Sequence, residues 1–203
     1  GNYDYLKYPL RKLERRFSLT FPYFLKGMEE RGDNNQLFAL KYHNTAFFLL
    51  DSDREIFFLF AQAAWLKTQM EKIKADHRIV MLHHPLYSVR RESNNLIQRW
   101  MFNDIICDAK ADLVLQGHEH GYTHCTADEE PLKGHDCTNP PLYVISHCSP
   151  KEYHLHPTKR FYPVIQGSRY YQIIDVDAKA VTYKAYDVAN DALIDSVRIT
   201  KSK

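Results

Sequence analysis

The sequence contains no apolar run approaching the roughly 20 residues that span a bilayer, so no transmembrane helix is expected. It has no C-x-x-C pair, no internal repeat, no low-complexity segment and no linker that would set off a second domain. It also lacks an excess of either charge. Its 27 Lys and Arg against 25 Asp and Glu leave a formal +2, too balanced to argue for nucleic acid or a membrane surface as partner. No basic-aromatic track stands out, so a nuclease has no support either. What remains is a chain of 203 residues, 44% hydrophobic, long enough to bury a core as a single domain over 1–203. Of the four cysteines, Cys125 and Cys137 bracket a polar segment and are candidates to close a loop in an oxidising compartment. Unpaired thiols are the equal alternative, which leaves the compartment open.

The order of elements is legible from periodicity. Residues 1 to 34 read as irregular or partly helical, and Gly32-Asp33-Asn34-Asn35 is a turn signal. Two short apolar runs, Gln36 to Tyr42 and Thr45 to Leu50, flank the polar joint His43-Asn44 and predict a β-hairpin. Leu59, Ala63, Leu66, Met70 and Ile73 recur at helical spacing and predict a helix from about Phe57 to Lys74. A strand Arg78 to Leu82 follows. Then comes a second helix behind the N-cap candidates Ser93-Asn94-Asn95, with Leu96, Trp100, Ile105 and Ile106 as its apolar positions. Leu113 to Gln116 and Leu142 to Ile145 predict further strands. Tyr170 to Val176, Val181 to Tyr186 and Ile194 to Ile199 predict a β-rich antiparallel tail. Helices alternating with short, nearly continuous apolar strands indicate an α/β layered sheet.

The chemistry gathers at strand ends. Gly117-His118-Glu119-His120 directly follows the run Ala111 to Gln116, and glycine lets a backbone turn sharply off a sheet. His118 and His120 are two positions apart, so in a strand continuation both rings point the same way. Two neutral imidazoles can then reach a metal at the mouth of the sheet. The strand Arg78 to Leu82 ends similarly in His83-His84-Pro85, where alternation predicts that only one ring faces the site. Asn2, in Gly1-Asn2-Tyr3-Asp4, offers a carbonyl oxygen to a hard or borderline divalent metal. Asp33, Asp51 and Asp53 read as turn residues. His147, His154 and His156 lie in a loop able to reach over the site, and His124 and His135 have no evident partner. Arg90 and Arg91 follow the His83 loop and are candidates for substrate contact.

Taken together, several ordered motifs resemble the calcineurin-like metallophosphoesterases, and among them the purple acid phosphatase-like branch. They are Gly1-Asn2-Tyr3-Asp4, Leu49-Leu50-Asp51-Ser52, Gln62 with Trp65-Leu66, His83-His84-Pro85-Leu86-Tyr87-Ser88 and Gly117-His118-Glu119-His120-Gly121-Tyr122. The resemblance implies a double β-sheet sandwich flanked by helices, with this chain as its C-terminal part and the upstream aspartate motifs outside it. It implies Asn2, His83 and His118 as ligands of one metal of a dinuclear centre and His120 as a ligand of the other. His84 would then line the pocket. Two divalent or trivalent ions, of Mn, Fe or Zn, would activate water for hydrolysis of a phosphate ester. Tyr3 stands where the family has a histidine that helps the leaving group depart. A phenol is a poorer acid near neutral pH, so slow turnover, or an inert metal- or phosphate-binding module, is the alternative expectation. The resemblance also favours an extracytoplasmic location.

Overall fold

The computed structural model describes residues 37–90, 95–126, 137, 139–156 and 158–200, together with the backbone of three two-residue strands nearer the start of the chain. Those three are β1 (Tyr5–Leu6), β2 (Lys12–Leu13) and β3 (Glu29–Glu30). The hairpin β4 (Phe38–Tyr42) and β5 (Thr45–Leu49) forms as the sequence predicts, turning through His43 at a left-handed φ of 52°. Helix α1 (Ile56–Lys72) leads to β6 (His77–Met81), and α2 (Leu96–Asp108) leads to β7 (Leu113–Gln116). Then follow β8 (Tyr122–Thr126), β9 (Leu142–Ile145), β10 (Val164–Ile165), β11 (Tyr170–Val176), β12 (Ala180–Asp187) and β13 (Leu193–Thr200). The sequence did not announce β8 or β10, because neither has a distinct apolar alternation. β8 adds antiparallel to the edge that β9 supplies, and β10 adds antiparallel to β8 in turn.

The strands make an eight-stranded mixed sheet in the order β10-β8-β9-β7-β6-β5-β4-β3 and a three-stranded antiparallel sheet β11-β12-β13. Four neighbours in the larger sheet, β5, β6, β7 and β9, run parallel. Parallel strands are buried on both faces, and the residues here divide strictly between two cores. Phe48, Val80, Val114, Tyr143 and Ile145 face α1 and α2 in one core. Ile79, Leu113, Leu142 and Val144 face the smaller sheet and its Val181, Tyr183 and Ala185 in the other. A side-chain period of two on a doubly covered sheet is why these strands read as continuous apolar runs.

The second helix differs in its orientation from the expected one. Met101, Phe102, Ile106 and Cys107 face the core, whereas Leu96 and Trp100 are 46% and 44% exposed. Trp100 packs edge-on against Phe60 of α1, at 6.1 Å between ring centroids, on the outer side of the helix pair. The Asn95 amide does not cap the helix; its Nδ2 donates to Pro85 O at 2.8 Å and ties the helix start to the His83 loop. The candidate Cys125–Cys137 bridge does not form. Cys137 pairs with Cys107 of α2, and Cys125 is a buried thiol inside β8. Strand pairing sets Cys125 opposite Tyr143 in the helix-side core, the same core against which Cys137 packs from its bond to Cys107.

Two polar contacts join the sheets at the edges of the second core. His77, 2% exposed at the start of β6, donates from Nε2 to Asp177 O in the β11–β12 turn at 2.9 Å. Its Nδ1 lies 3.5 Å from Asp112 Oδ1, while Asp112 Oδ2 accepts the Arg78 N–H at 2.7 Å. On β8, Tyr122 Oη donates to Asp195 Oδ2 of β13 at 2.7 Å, and His124 Nε2 lies 3.0 Å from the same oxygen. His124 therefore does have a partner, which only the docking of the second sheet supplies. We predict that His77→Ala removes about 3 kcal/mol of stability, combining a cavity with a buried carboxylate short of one partner. Urea unfolding checks this, and a loss below about 1 kcal/mol would show that the sheets dock without it.

Candidate metal centre

The carboxyl ends of β5, β6, β7 and β9 open onto one place, and each is followed by a segment that carries polar side chains. After β5 come Asp51, Ser52 and Asp53. After β6 come His83, His84 and the loop to Arg90. After β7 come Gly117 to His120, and after β9 come Ser146, His147 and the segment to Tyr153. This is the crevice at which open α/β sheets bind ligands.

Buried polar side chains hold these segments in place. Gln62 of α1 grips the β5 exit twice, with Oε1 accepting the Asp51 N–H at 3.0 Å and Nε2 donating to Asp51 O at 2.8 Å. Gln116, the last residue of β7, accepts the Leu86 N–H at 2.7 Å and so fixes the turn after His84-Pro85. Glu119 is fully buried between the two histidines. Its carboxylate accepts the Ser88 hydroxyl and, at 2.8 Å, the Val89 N–H. Burial pushes the Glu119 carboxyl up, and those two hydrogen bonds oppose the rise. Through these two bonds Glu119, in the bend after β7, anchors the loop that carries Arg90.

The strained residue is His118, at a left-handed φ of 67°. The expectation placed the sharp turn at Gly117. There a Cβ would meet only ordinary contacts, the nearest being His83 Nδ1 at 3.6 Å, so the turn does not depend on that glycine. A non-glycine residue in this region is uncommon and persists where the surroundings over-determine it. The glycine that is sterically required is Gly121, where a Cβ would collide with the Leu155 side chain and crowd Ile165 O at 3.2 Å. Its bareness lets the 147–156 segment close down beside His120.

His83, His84 and His118 come together: a nitrogen of each ring lies within 4.8 Å of the others. His118 Nδ1 faces His83 Nε2 at 3.3 Å, and the His84 ring is 4.5 Å from that of His118 and 5.0 Å from that of His83. The prediction that His83 and His84 diverge does not hold, because β6 ends at Met81 and the two histidines lie in a bend where strand alternation no longer applies. Burial first, then the neighbouring imidazole of His84, lowers His83 to about 3. Burial, then His84, Arg90 and His120, lowers His118 to about 4, with Asp53 opposing. Both rings are neutral at pH 7, the protonation state that metal binding needs. The 3.3 Å between their facing nitrogens also matches the roughly 3.3 Å edge of a tetrahedral site with bonds of about 2.0 Å. The residues therefore fit a metal ion.

His120 takes a separate position. Its Nδ1 donates to Lys151 O at 2.5 Å, so the lone pair lies on Nε2. His147 stacks on it at 5.2 Å, with ring planes 6° apart, and Tyr153 tilts against it at 4.4 Å. Arg90 lies over the Tyr153 ring at 4.1 Å, and Lys151 Nζ is 4.7 Å from the same ring. His147 thus reaches the site, as the sequence allowed, while His154 and His156 pack on each other at 4.8 Å. Asn2, Tyr3 and Arg91 lie outside the described residues. The residues that sequence reasoning passed over are Asp53 and Glu119. Asp53 lies in a turn, as read, but is 4% exposed, with Oδ1 3.9 Å from His84 Nε2. The dense polar run Asp51-Ser52-Asp53 at a strand end was its only signal.

The lowered values of His83 and His118 have a thermodynamic consequence. Both folded-state values lie below the unfolded value of about 6.5, so the unfolded chain binds more protons between them. In chelator, this contribution to stability should be complete above pH 6.5, fall progressively below it, and level off once His118 and then His83 protonate in the folded state, near 4 and 3. Urea midpoints at pH 7.5, 6, 5 and 4 measure this. A His83→Gln/His118→Gln double variant should show a flatter profile, and identical slopes would contradict the assignment.

No family model and no curated protein matches the chain. Solved structures do. A purple acid phosphatase from yellow lupin (Lupinus luteus) seeds aligns over 88% of this chain with a TM-score of 0.68 at 12% identity. GAP50, the anchor in the inner membrane complex of Plasmodium, aligns over 82% with a TM-score of 0.61 at 15% identity. The chain spans 34% of the lupin chain and 53% of the GAP50 chain. At these identities the likeness is one of fold. The chain has the α/β fold of the calcineurin-like metallophosphoesterases, in its purple acid phosphatase-like form.

Proposed function

We propose that this chain is part of a metal-dependent phosphoesterase domain that hydrolyses phosphate esters at the mouth of β6 and β7. The observation that carries the reading is the meeting of His83 Nε2 and His118 Nδ1 at 3.3 Å, both rings neutral, at parallel-strand ends of a phosphatase-like fold. His83 and His118, with Asn2, are the proposed ligands of one ion, and His120 of a second, in a centre of Mn, Fe or Zn. Further ligands come from sequence outside the described residues. Bound ions of this kind polarise a phosphoryl oxygen and lower the pKa of bound water.

The remaining tasks fall to the chain's own side chains. His120 is oriented by its Nδ1–H bond to Lys151 O, which leaves Nε2 as the donor atom. Arg90, braced against Tyr153 and close enough to His118 to depress its basicity, is the proposed guanidinium for phosphate oxygens, with Arg91 beside it in sequence. Glu119 is a positioning residue. Through Ser88 and Val89 it holds the loop on which Arg90 sits. Tyr3 can donate a hydrogen bond to phosphate but is a weak acid for the departing alkoxide.

Tyr3 also motivates a second reading, a metal- or phosphate-binding module without turnover. The Cys107–Cys137 disulfide favours an oxidising, extracytoplasmic compartment for either. Among the described residues no helix is long and apolar enough to cross a membrane.

The intact protein should hydrolyse an aryl phosphate, whose leaving group needs little protonation, in a reaction abolished by chelation. His118→Ala should lower kcat/KM by about 10³-fold or more, in line with loss of a group central to charge stabilisation. Tyr3→His should raise kcat on an alkyl phosphate by about 10²–10⁴-fold, the usual worth of general acid help, with a smaller gain on the aryl ester. No hydrolysis of either ester by wild type or Tyr3→His, with metal bound, would favour the binding module.

A further inference from the structure

The described residues bring a third imidazole to the His83–His118 pair, and its surroundings are built rather than incidental. Ser52, 2% exposed, receives the His84 backbone N–H on Oγ at 2.8 Å and faces His84 Nδ1 at 3.1 Å. In the tautomer whose Nδ1–H donates to Ser52 Oγ, the ring lone pair lies on Nε2. Asp53 Oδ1 is the carboxylate oxygen near that nitrogen, at 3.9 Å. A histidine ligand whose other nitrogen is hydrogen-bonded, beside a buried carboxylate, is the usual support for a metal-binding ring. Ser52 and Asp53 are themselves fixed by the β5 exit. There Gln62 grips Asp51 through two hydrogen bonds, and Asp51 Oδ1 accepts the Asp53 N–H at 3.2 Å. The strain at His118 belongs to the same arrangement, since its left-handed φ of 67° accompanies a ring turned onto His83 and His84.

We propose that His84 is a ligand, and that His83, His84 and His118 form a three-imidazole site for one borderline divalent cation of the zinc class. Asp53 is its charge-balancing carboxylate, and Ser52 sets the His84 tautomer. This rests on the metal-binding part of the function proposed above and changes its ligand set, because the first ion is held by three rings of this chain. Three neutral nitrogen donors select against Mg²⁺ and Ca²⁺, which prefer oxygen, and suit Zn²⁺, Co²⁺, Ni²⁺ or Cu²⁺. Three histidines with a fourth position left for water or substrate are a known catalytic zinc arrangement.

The test uses the intact protein, stripped with chelator and titrated with Zn²⁺ against a chromophoric competitor, with Co²⁺ as a spectroscopic substitute. The wild type should take up one tightly bound equivalent. X-ray absorption of that equivalent should count three imidazoles. His84→Ala should weaken it by about 100-fold or more, and Asp53→Asn by about 10–100-fold, the range for residues that support a ligand. His154→Ala, a loop histidine away from the cluster, should bind as the wild type does. His84→Gln, which keeps a polar group toward Ser52, guards against a folding defect; it should show the wild-type circular dichroism and the weakened affinity.

Zn²⁺ affinity within twofold of wild type in His84→Ala, or a count of two imidazoles, overturns the proposal. Aryl phosphate hydrolysis separates the two readings. His84-dependent metal binding without hydrolysis removes the phosphoesterase reading and keeps this site. Hydrolysis unaffected by His84→Ala does the reverse.

Discussion

The structure depends on the burial of its four parallel strands on both faces. Because Val80, Val114 and Tyr143 pack toward the helices while Ile79, Leu113 and Val144 pack toward the second sheet, the strand interiors have no room for ionisable groups that face solvent. Polar chemistry is forced to the strand ends. At the amino end it is used for construction, where His77 and Asp112 join the two sheets. At the carboxyl end it gathers Ser52, Asp53, His83, His84, His118 and His120 around one crevice. The same constraint that makes the core apolar therefore concentrates the histidines.

Between core and crevice lies a layer of buried amides and carboxylates that act on backbone. Gln62, Gln116 and Glu119 each satisfy main-chain N–H groups of a neighbouring segment, and each is less than 10% exposed. A buried polar side chain left without such partners would cost on the order of 1–3 kcal/mol. Each of these side chains is thus committed to one loop geometry. Rigid first positions for the histidines follow from this layer, since a ligand set is only as well placed as the loops that carry it.

Much of this was readable from sequence, for a physical reason. Long segments with a sustained period, such as β4–β5, α1 and the tail strands, announced themselves because both their faces obey one rule. The strand-end histidines were found because Gly117-His118-Glu119-His120 and His83-His84-Pro85 stand directly after apolar runs. What failed was local geometry beyond the strand. The alternation rule separated His83 from His84, yet the bend after Met81 brings both rings to His118. The turn was assigned to Gly117, but the left-handed residue is His118. Cysteine spacing left a Cys125–Cys137 bridge and unpaired thiols equally open, whereas Cys137 pairs with Cys107, 30 residues away in sequence. Asp53 and His124 acquire meaning only through residues 31 and 71 positions away, His84 and Asp195, and no local pattern encodes that.

The donor set is where fold likeness and local chemistry part. A likeness at 12% and 15% identity carries the fold, because a fold follows from packing that many sequences satisfy. It does not carry the identity of each donor atom. Here the donors brought together among the described residues are three imidazoles, with a carboxylate 3.9 Å from one of them. Imidazole-rich donors hold a borderline cation through nitrogen and leave its net charge high. Carboxylate-rich donors lower that charge and weaken its pull on bound water. A site of this composition therefore shifts work from the ligands to the cation itself.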